Sequence, residues 1–428
     1  MKYAPYSFLL LIMLQVACFT SSRSRAPQKP SVINLSRMYN PAASRLHPAY
    51  TIYHNTASSS LLLVKIFPVE LLYSGTIQPN KLLGQVSLTY VLTDIENINR
   101  PVVADSGQIT YTFEREHADK RFITQISLKA EDGKQYQLML IARDMVRREE
   151  ILSYLYVDKR SNLSAQNFLV TLPGENTPVF EPNVVGSSLF RLESRNKDHD
   201  SIYVKYYGQV IPLPKPSFSL IRERDFLEQP DSLWIFPFGK GVSYQLNYEG
   251  IYHFQLDTSR MEGITLFNFG ESYPKVQEVS QLVEPLAYLT TTTEMENIDN
   301  AANQKLAVDN FWLEKAGNIE KARELIRVYY NRVYYSNYYF TSFKPGWKTD
   351  RGMIFIIYGP PQTVKALPDQ EKWIYYKNNF STSVTFTFYH TPTAYALDNF
   401  TLQRADNYDT YWRQAVETWR KGNIYMIE

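Results

Sequence analysis

The chain has 428 residues, with 45 Lys and Arg against 43 Asp and Glu, and a single cysteine. So even a charge balance leaves no electrostatic footprint for nucleic acid as the main partner, and a lone cysteine excludes an internal disulfide framework. The length predicts roughly two to three domains, and the 33 tyrosines favour strand-rich, half-buried surfaces.

Lys2 gives the N-terminus a positive start, and Phe8 to Ala17 (FLLLIMLQVA) is an apolar stretch. It is well short of the ~20 residues that span a bilayer, so residues 1–18 read as a secretory signal. Cys18 follows at once. A signal ending in a small residue and Cys resembles the lipobox of bacterial lipoproteins, with Gln15 where that pattern usually has Leu. The resemblance implies that Cys18 becomes the lipidated first residue of the mature chain, a stable anchor. Under an ordinary cleavable signal, Cys18 has no such role. Residues 19–48 contain Arg23, Arg25, Lys29, Arg37 and Arg45 and no acidic residue, and read as a flexible basic tether. Phe19 is not the acidic residue that retains lipoproteins in an inner membrane, and no acidic cluster follows Cys18. By the same resemblance, the expected location is the outer membrane, lipid-anchored, on the periplasmic face rather than the cell surface.

Past the tether, apolar residues alternate with polar ones. Val86, Leu88, Tyr90 and Leu92 form one such series, Ile109, Tyr111 and Phe113 a second, and Tyr136, Leu138 and Leu140 a third. Period two marks strands with one buried face, and their spacing predicts a β-sandwich over 49–160. Breaker-rich segments then lead to a second β-sandwich-like domain over 161–273. Its strand candidates are Asn167 to Leu172, Leu189 to Glu193, Ile202 to Tyr207, Ser232 to Pro237, Tyr244 to Tyr248, Ile251 to Asp257 and Thr265 to Phe269.

The period then lengthens. Pro285 suits the first turn of a helix, and Thr293 with Glu296 fits a capping box. Asp299 to Lys315 reads as one helix, Gly317-Asn318 breaks it, and Asn318 caps the next. The pairs Tyr329/Tyr330, Tyr334/Tyr335 and Tyr338/Tyr339 form a stripe expected in the core; Tyr330, Tyr334 and Tyr338 are the candidates if part of it is an exposed recognition surface. Two strands follow, Lys372 to Tyr376 and Ser383 to His390, and a helix over Tyr408 to Lys421 closes the chain. Residues 274–428 are therefore expected as an α+β unit of helices followed by a short antiparallel sheet.

The segment KPGWKTDRGMIFIIYGPPQ, Lys344 to Gln362, carries the most specific signal. Gly346, Trp347, Thr349, Asp350, Arg351, Gly352, Gly359, Pro360 and Pro361 resemble the defining motif of the GWxTD-domain family of bacterial envelope proteins, which are often lipoproteins. EPLAYL from Glu284, NFW from Asn310 and KWIYY from Lys372 extend the resemblance over Glu284 to Phe388. It implies no assigned activity. Read physically, Trp347 anchors the loop by burial, Thr349 and Asp350 hydrogen-bond nearby backbone, and Gly352 permits a close approach. Met353 to Tyr358 reads as a strand that Gly359-Pro360-Pro361 stops, and Arg351 or Arg332 can pair with Asp350.

A catalytic set is not legible. There is no Gly-x-Ser-x-Gly elbow, and the six histidines show no metal-ligand spacing. No cofactor, metal or catalytic residue is assigned. The expectation is a non-enzymatic outer-membrane lipoprotein, an accessory or scaffold in a protein complex of outer-membrane protein assembly, secretion or motility. The alternatives are a glycan- or peptide-binding lipoprotein, motivated by the tyrosines, and a hydrolase using paired carboxylates.

Overall fold

The computed structural model describes residues 34–426 apart from 44, 76–80, 97–99, 175, 222–226, 228, 368 and 377–382. Residues 1–18, Cys18 with its expected lipidation, and the tether as far as residue 33 lie outside the described residues.

The first module is a sandwich. Its strands are β1 (Ala49–Tyr53), β2 (Ser59–Ile66), β3 (Ser74–Gly75), β4 (Leu82–Asp94), β5 (Val102–Glu114), β6 (Phe122–Lys129), β7 (Gln135–Asp144) and β8 (Glu149–Asp158). One sheet runs β1-β2-β6; the other runs β3-β4-β7-β8, with β5 on the remaining edge of β4. Val86, Leu88 and Leu92 of β4 and Leu138 and Leu140 of β7 point inward to meet Leu62, Val64 and Leu128. The alternation in sequence is thus the alternation of the pleat.

The second module pairs a three-stranded sheet with a four-stranded one around Phe190, Leu192, Ile202, Val204 and Phe254. Its strands are β9 (Phe168–Leu172), β10 (Thr177–Pro178), β11 (Arg191–Ser194), β12 (Ser201–Tyr207), β13 (Ser232–Pro237), β14 (Gly250–Gln255) and β15 (Ile264–Asn268). The orders are β10-β9-β11 and β13-β12-β14-β15. Tyr244 to Tyr248, expected as a strand, makes only an isolated bridge from Tyr244 to Phe190.

The third module begins with helices α1 (Val279–Val283), α2 (Thr292–Asp299), α3 (Gln304–Ala316), α4 (Ile319–Phe340) and α5 (Asp350–Tyr358). A sheet in the order β16-β17-β18-β19 follows: β16 (Thr363–Leu367), β17 (Gln370–Tyr376), β18 (Ser383–His390) and β19 (Phe400–Leu402). Helix α6 (Tyr408–Arg420) closes the fold.

Two expectations shift here. The capping box is Thr291 with Glu294, not Thr293 with Glu296; both pairs have the required spacing, and the turn after Leu289 selects the earlier one. The helix expected over Asp299 to Lys315 starts only at Gln304, because Asn303 accepts the amide of Leu306 at 3.0 Å and caps α3 there, while Asp299 ends α2. Asn318 caps α4 as expected, accepting the amide of Lys321 at 2.9 Å.

Residues 34–48 are not a free tether. The amide of Leu35 donates to the Val364 carbonyl at 2.9 Å, and the Val364 amide returns to Asn34 Oδ1 at 2.9 Å. Leu35 and Tyr39 sink into the third module's core, while Leu46 sits in the first sandwich's core. A Ser-, Pro- and Arg-rich composition suits a linker, but these three apolar side chains are enough to pin it across two modules. The modules meet elsewhere too. Leu152 and Tyr154 of β8 pack on the third core. Asp132 of the first module and Arg195 of the second form a bidentate pair at 2.8 and 2.6 Å.

Candidate functional site

The GWxTD segment folds as a short turn that launches a helix. Met353 to Tyr358, expected as a strand, belongs to α5, all nine of whose residues are buried. An apolar run buried on every side has no diagnostic period; its flanks carry the helix signals. Thr349 caps the N-terminus, its Oγ1 accepting the Gly352 amide at 3.0 Å while its hydroxyl donates to the Gly346 carbonyl at 2.7 Å. Gly359 follows the last turn with φ of 83°.

A wholly buried helix must have its terminal carbonyls paired inside the protein. Arg332 of α4 does this: Nη1 donates to the Ile356 and Ile357 carbonyls at 3.0 and 3.1 Å, and Nη2 to the Tyr425 carbonyl at 3.1 Å. Trp419 Nε1 adds a bond to the Ile357 carbonyl at 3.0 Å. Burial pulls the Arg332 guanidinium down to about 10. Arg332 therefore does not pair with Asp350.

Asp350 pairs with neither expected arginine. It accepts Arg404 Nη2 at 2.6 Å, Arg404 Nη1 at 3.2 Å and the Leu402 amide at 2.7 Å. The motif aspartate thus ties the start of α5 to β19, a strand that a spacing argument had no means to find because only three of its residues pair.

The two motif glycines allow α4, the turn and α5 to touch. A Cβ on Gly346 would lie 1.9 Å from the Ser336 carbonyl oxygen, and one on Gly352 would lie 1.9 Å from the Gly346 carbonyl oxygen. Trp347 is buried against Tyr288, whose hydroxyl donates to the Trp347 carbonyl at 2.7 Å. Pro360 and Pro361 separate α5 from β16. Gly346, Trp347, Thr349, Asp350, Gly352 and Gly359 all serve the interior.

Arg351 alone among the motif's polar side chains reaches a cleft. Its guanidinium stacks 4.1 Å above the Phe400 ring, and Nη2 donates to the Asp398 carbonyl at 3.3 Å. Nη1 lies 3.8 Å from Glu371. Glu371 is itself held by the Tyr39 hydroxyl at 2.9 Å and Trp373 Nε1 at 3.0 Å. This buried cluster floors a cavity of about 340 Å³ where β8, the second module and the third module meet. His390 stands nearby, stacked 3.7 Å from Tyr156 and with Nε2 2.6 Å from the Leu397 carbonyl; burial lowers its pKa. A second cavity, about 570 Å³, adjoins through shared wall residues Tyr50, Phe180, Tyr339 and Asp398. Among the described residues no three His, Cys, Asp or Glu side chains converge as a metal-ligand set.

The tyrosine stripe is buried at Tyr329 and Tyr330 and more open toward Tyr338. Tyr330 is buried and donates to the Leu282 carbonyl at 2.7 Å; Tyr334 is half-buried, and Tyr338 is 43% exposed. Tyr334 and Tyr338 line the larger cavity, and Tyr330 does not. The exposed aromatic and apolar surface lies instead on the second module. Strand β13 is an edge, pairing with β12 alone among the described residues. On one face Leu233 and Ile235 are 54% and 62% exposed. On the other, Trp234 and Phe236 border a groove of about 430 Å³ with Tyr248, Tyr252 and Asn247, and no charged residue lines it. The signal was legible as SLWIFP, an apolar run without alternation.

Residues 250–421 match the GWxTD domain family. No curated protein matches the chain. Two solved structures are similar in part. One is a glycosyl hydrolase family 2 member from Bacteroides cellulosilyticus DSM 14838, 16% identical, covering 29% of this chain and 17% of its own, with a TM-score of 0.18. The other is a candidate β-galactosidase from Bacteroides fragilis, 13% identical, covering 36% of this chain and 19% of its own, with a TM-score of 0.17. The chain spans less than a fifth of the length of either.

Proposed function

We propose, for a chain that is a GWxTD domain-containing protein, the role of a non-enzymatic envelope scaffold that docks a partner protein along β13. The carrying observation is that edge strand. Its outer backbone groups face away from β12, and large apolar side chains stand on both of its faces. Soluble proteins ordinarily blunt such an edge with charge or proline; here Leu233 and Ile235 do the opposite. An added strand from a partner pairs the backbone and covers both faces at once. The motif supports a scaffold rather than catalysis, since its buried polar groups are committed to holding α5 and β19.

In this reading Cys18 carries the lipid that holds the chain at the periplasmic face of the outer membrane, and the resemblance of its flanking residues to a lipobox supports the placement. Cys18→Ala then releases the protein from membranes with its fold intact.

The test is a photo-crosslinking residue in place of Ile235, activated in the native envelope. One discrete adduct is expected, absent in an L233K/I235K background and reproduced with the purified partner. A control probe replacing Lys305, exposed on α3, gives none. Equal labelling from both positions, or an adduct that survives the double substitution, refutes docking at β13.

A second reading has its own observation. The uncharged groove beside β13, with rings for stacking and amides for hydroxyl groups, suits a neutral saccharide. Calorimetric titration with neutral oligosaccharides, comparing the native chain with Tyr248→Ala, separates it from protein docking.

A further inference from the structure

The smaller cavity of the cleft between the modules has more carboxylates than cations on its wall, while Arg37 lines the larger one. Three carboxylates line the smaller cavity: Glu181, Glu371 and Asp398. Glu181 is held by Lys65 Nζ at 2.8 Å. Glu371 accepts the Tyr39 and Trp373 hydrogens and lies 3.8 Å from Arg351. Arg351, the one Lys or Arg on the smaller cavity's wall among the described residues, is therefore shared with Glu371, and its hydrogen bond toward Asp398 goes to the backbone carbonyl rather than the carboxylate. Asp398 is the remainder. It lines both cavities and is exposed within them.

Around Asp398 stand rings. Tyr50, Phe180 and Tyr339 border both cavities, and Tyr156 and Phe400 border the smaller one. An anion among aromatic faces is matched by one ligand chemistry above others. A cation gains from the carboxylate and from the ring quadrupoles together, and an apolar body fills the space between rings. An anion would meet the carboxylate excess, and a neutral ligand would leave Asp398 as it is.

We infer that this cleft binds an organic ammonium ion, its charged end at Asp398 and its aliphatic or aromatic body against Tyr50, Phe180 and Tyr339. Segment 34–48, through Met38 and Tyr39, forms part of the wall, so the site exists only once that segment has docked. The site is separate from β13 and does not depend on docking there.

The experiment is calorimetric titration of the folded chain with n-hexylammonium and with 1-hexanol, which share a body and differ in charge. The native protein should prefer the ammonium by roughly tenfold or more, the discrimination of a charge-assisted contact. Asp398→Asn should bring the ratio near one while leaving hexanol binding and the unfolding temperature intact or improved. Tyr339→Leu should weaken both probes. A native ratio near one overturns the inference, and so does an Asp398→Asn variant that keeps the preference.

Discussion

The Asp350 carboxylate and the Arg404 guanidinium meet through two hydrogen bonds, of 2.6 and 3.2 Å, while the Leu402 amide takes a further bond to the same carboxylate at 2.7 Å. The motif's aspartate is thus a clamp between α5 and the last strand of the sheet. Both side chains are largely buried, at 8% and 13% exposure.

Breaking one side of that pair leaves the other charge in a low-dielectric site. Asp350→Asn is expected to cost about 3–5 kcal/mol. Asp350→Leu combined with Arg404→Met should recover part of the loss, since removing both partners leaves no orphan charge. Denaturant unfolding of the two variants checks this; equal losses in both would mean that packing of β19, not charge, is what matters.

The two caps of α5 are expected to differ in cost. Arg332→Met leaves the Ile356, Ile357 and Tyr425 carbonyls without their guanidinium donors, a loss of about 3 kcal/mol or more. Arg332→Lys should not restore it, because an ammonium cannot fork toward separate carbonyls. Thr349→Val removes the N-cap and should cost about 1–2 kcal/mol. Thermal unfolding ranks the three.

Two buried histidines predict an acid limb. His54 lies between the Ser60 hydroxyl and the Asp158 carbonyl, and His253 between the Thr265 hydroxyl and the Met261 carbonyl. A carbonyl only accepts, so each Nε2 carries the hydrogen. Burial pushes both down to about 4 from 6.5. The unfolded chain therefore binds the extra protons first. The stabilisation is complete above pH 6.5 and is lost as pH falls toward 4, by roughly 3 kcal/mol per histidine. Unfolding free energy measured across this window should fall steeply, and more shallowly in His54→Gln and His253→Gln. An identical slope in the variants would place the loss on other groups. Glu294, held low mainly by its hydrogen bond from Arg420, titrates only at more acid pH.

Much of the architecture was legible beforehand, for a physical reason. Where one face of an element is wet and the other dry, burial writes a period into the chain. The strand periods of Val86 to Leu92 and Leu138 to Leu140 match β4 and β7 on that ground, and Asn318 caps the next helix, which runs Ile319–Phe340. The failures occur where both faces are dry. Met353 to Tyr358 is buried on every side, so helix and strand are indistinguishable by pattern, and the flanking caps decide. Tyr39, in a basic and proline-bearing segment, had no neighbours in sequence to announce that Trp373 and Phe340 would receive it.

By itself the sequence determined the modules' classes, the end of α3 at Gly317 and the presence of a motif that demands glycine beside a buried tryptophan. Those are consequences of local chemistry: period, capping and the space around a Cβ. Tertiary structure decided the partners. Asp350 finds Arg404 rather than its neighbour Arg351, and Arg332 reaches the far end of α5. Each pairing joins residues far apart in the chain, and Coulomb attraction and hydrogen bonding act through distances that only the folded backbone sets.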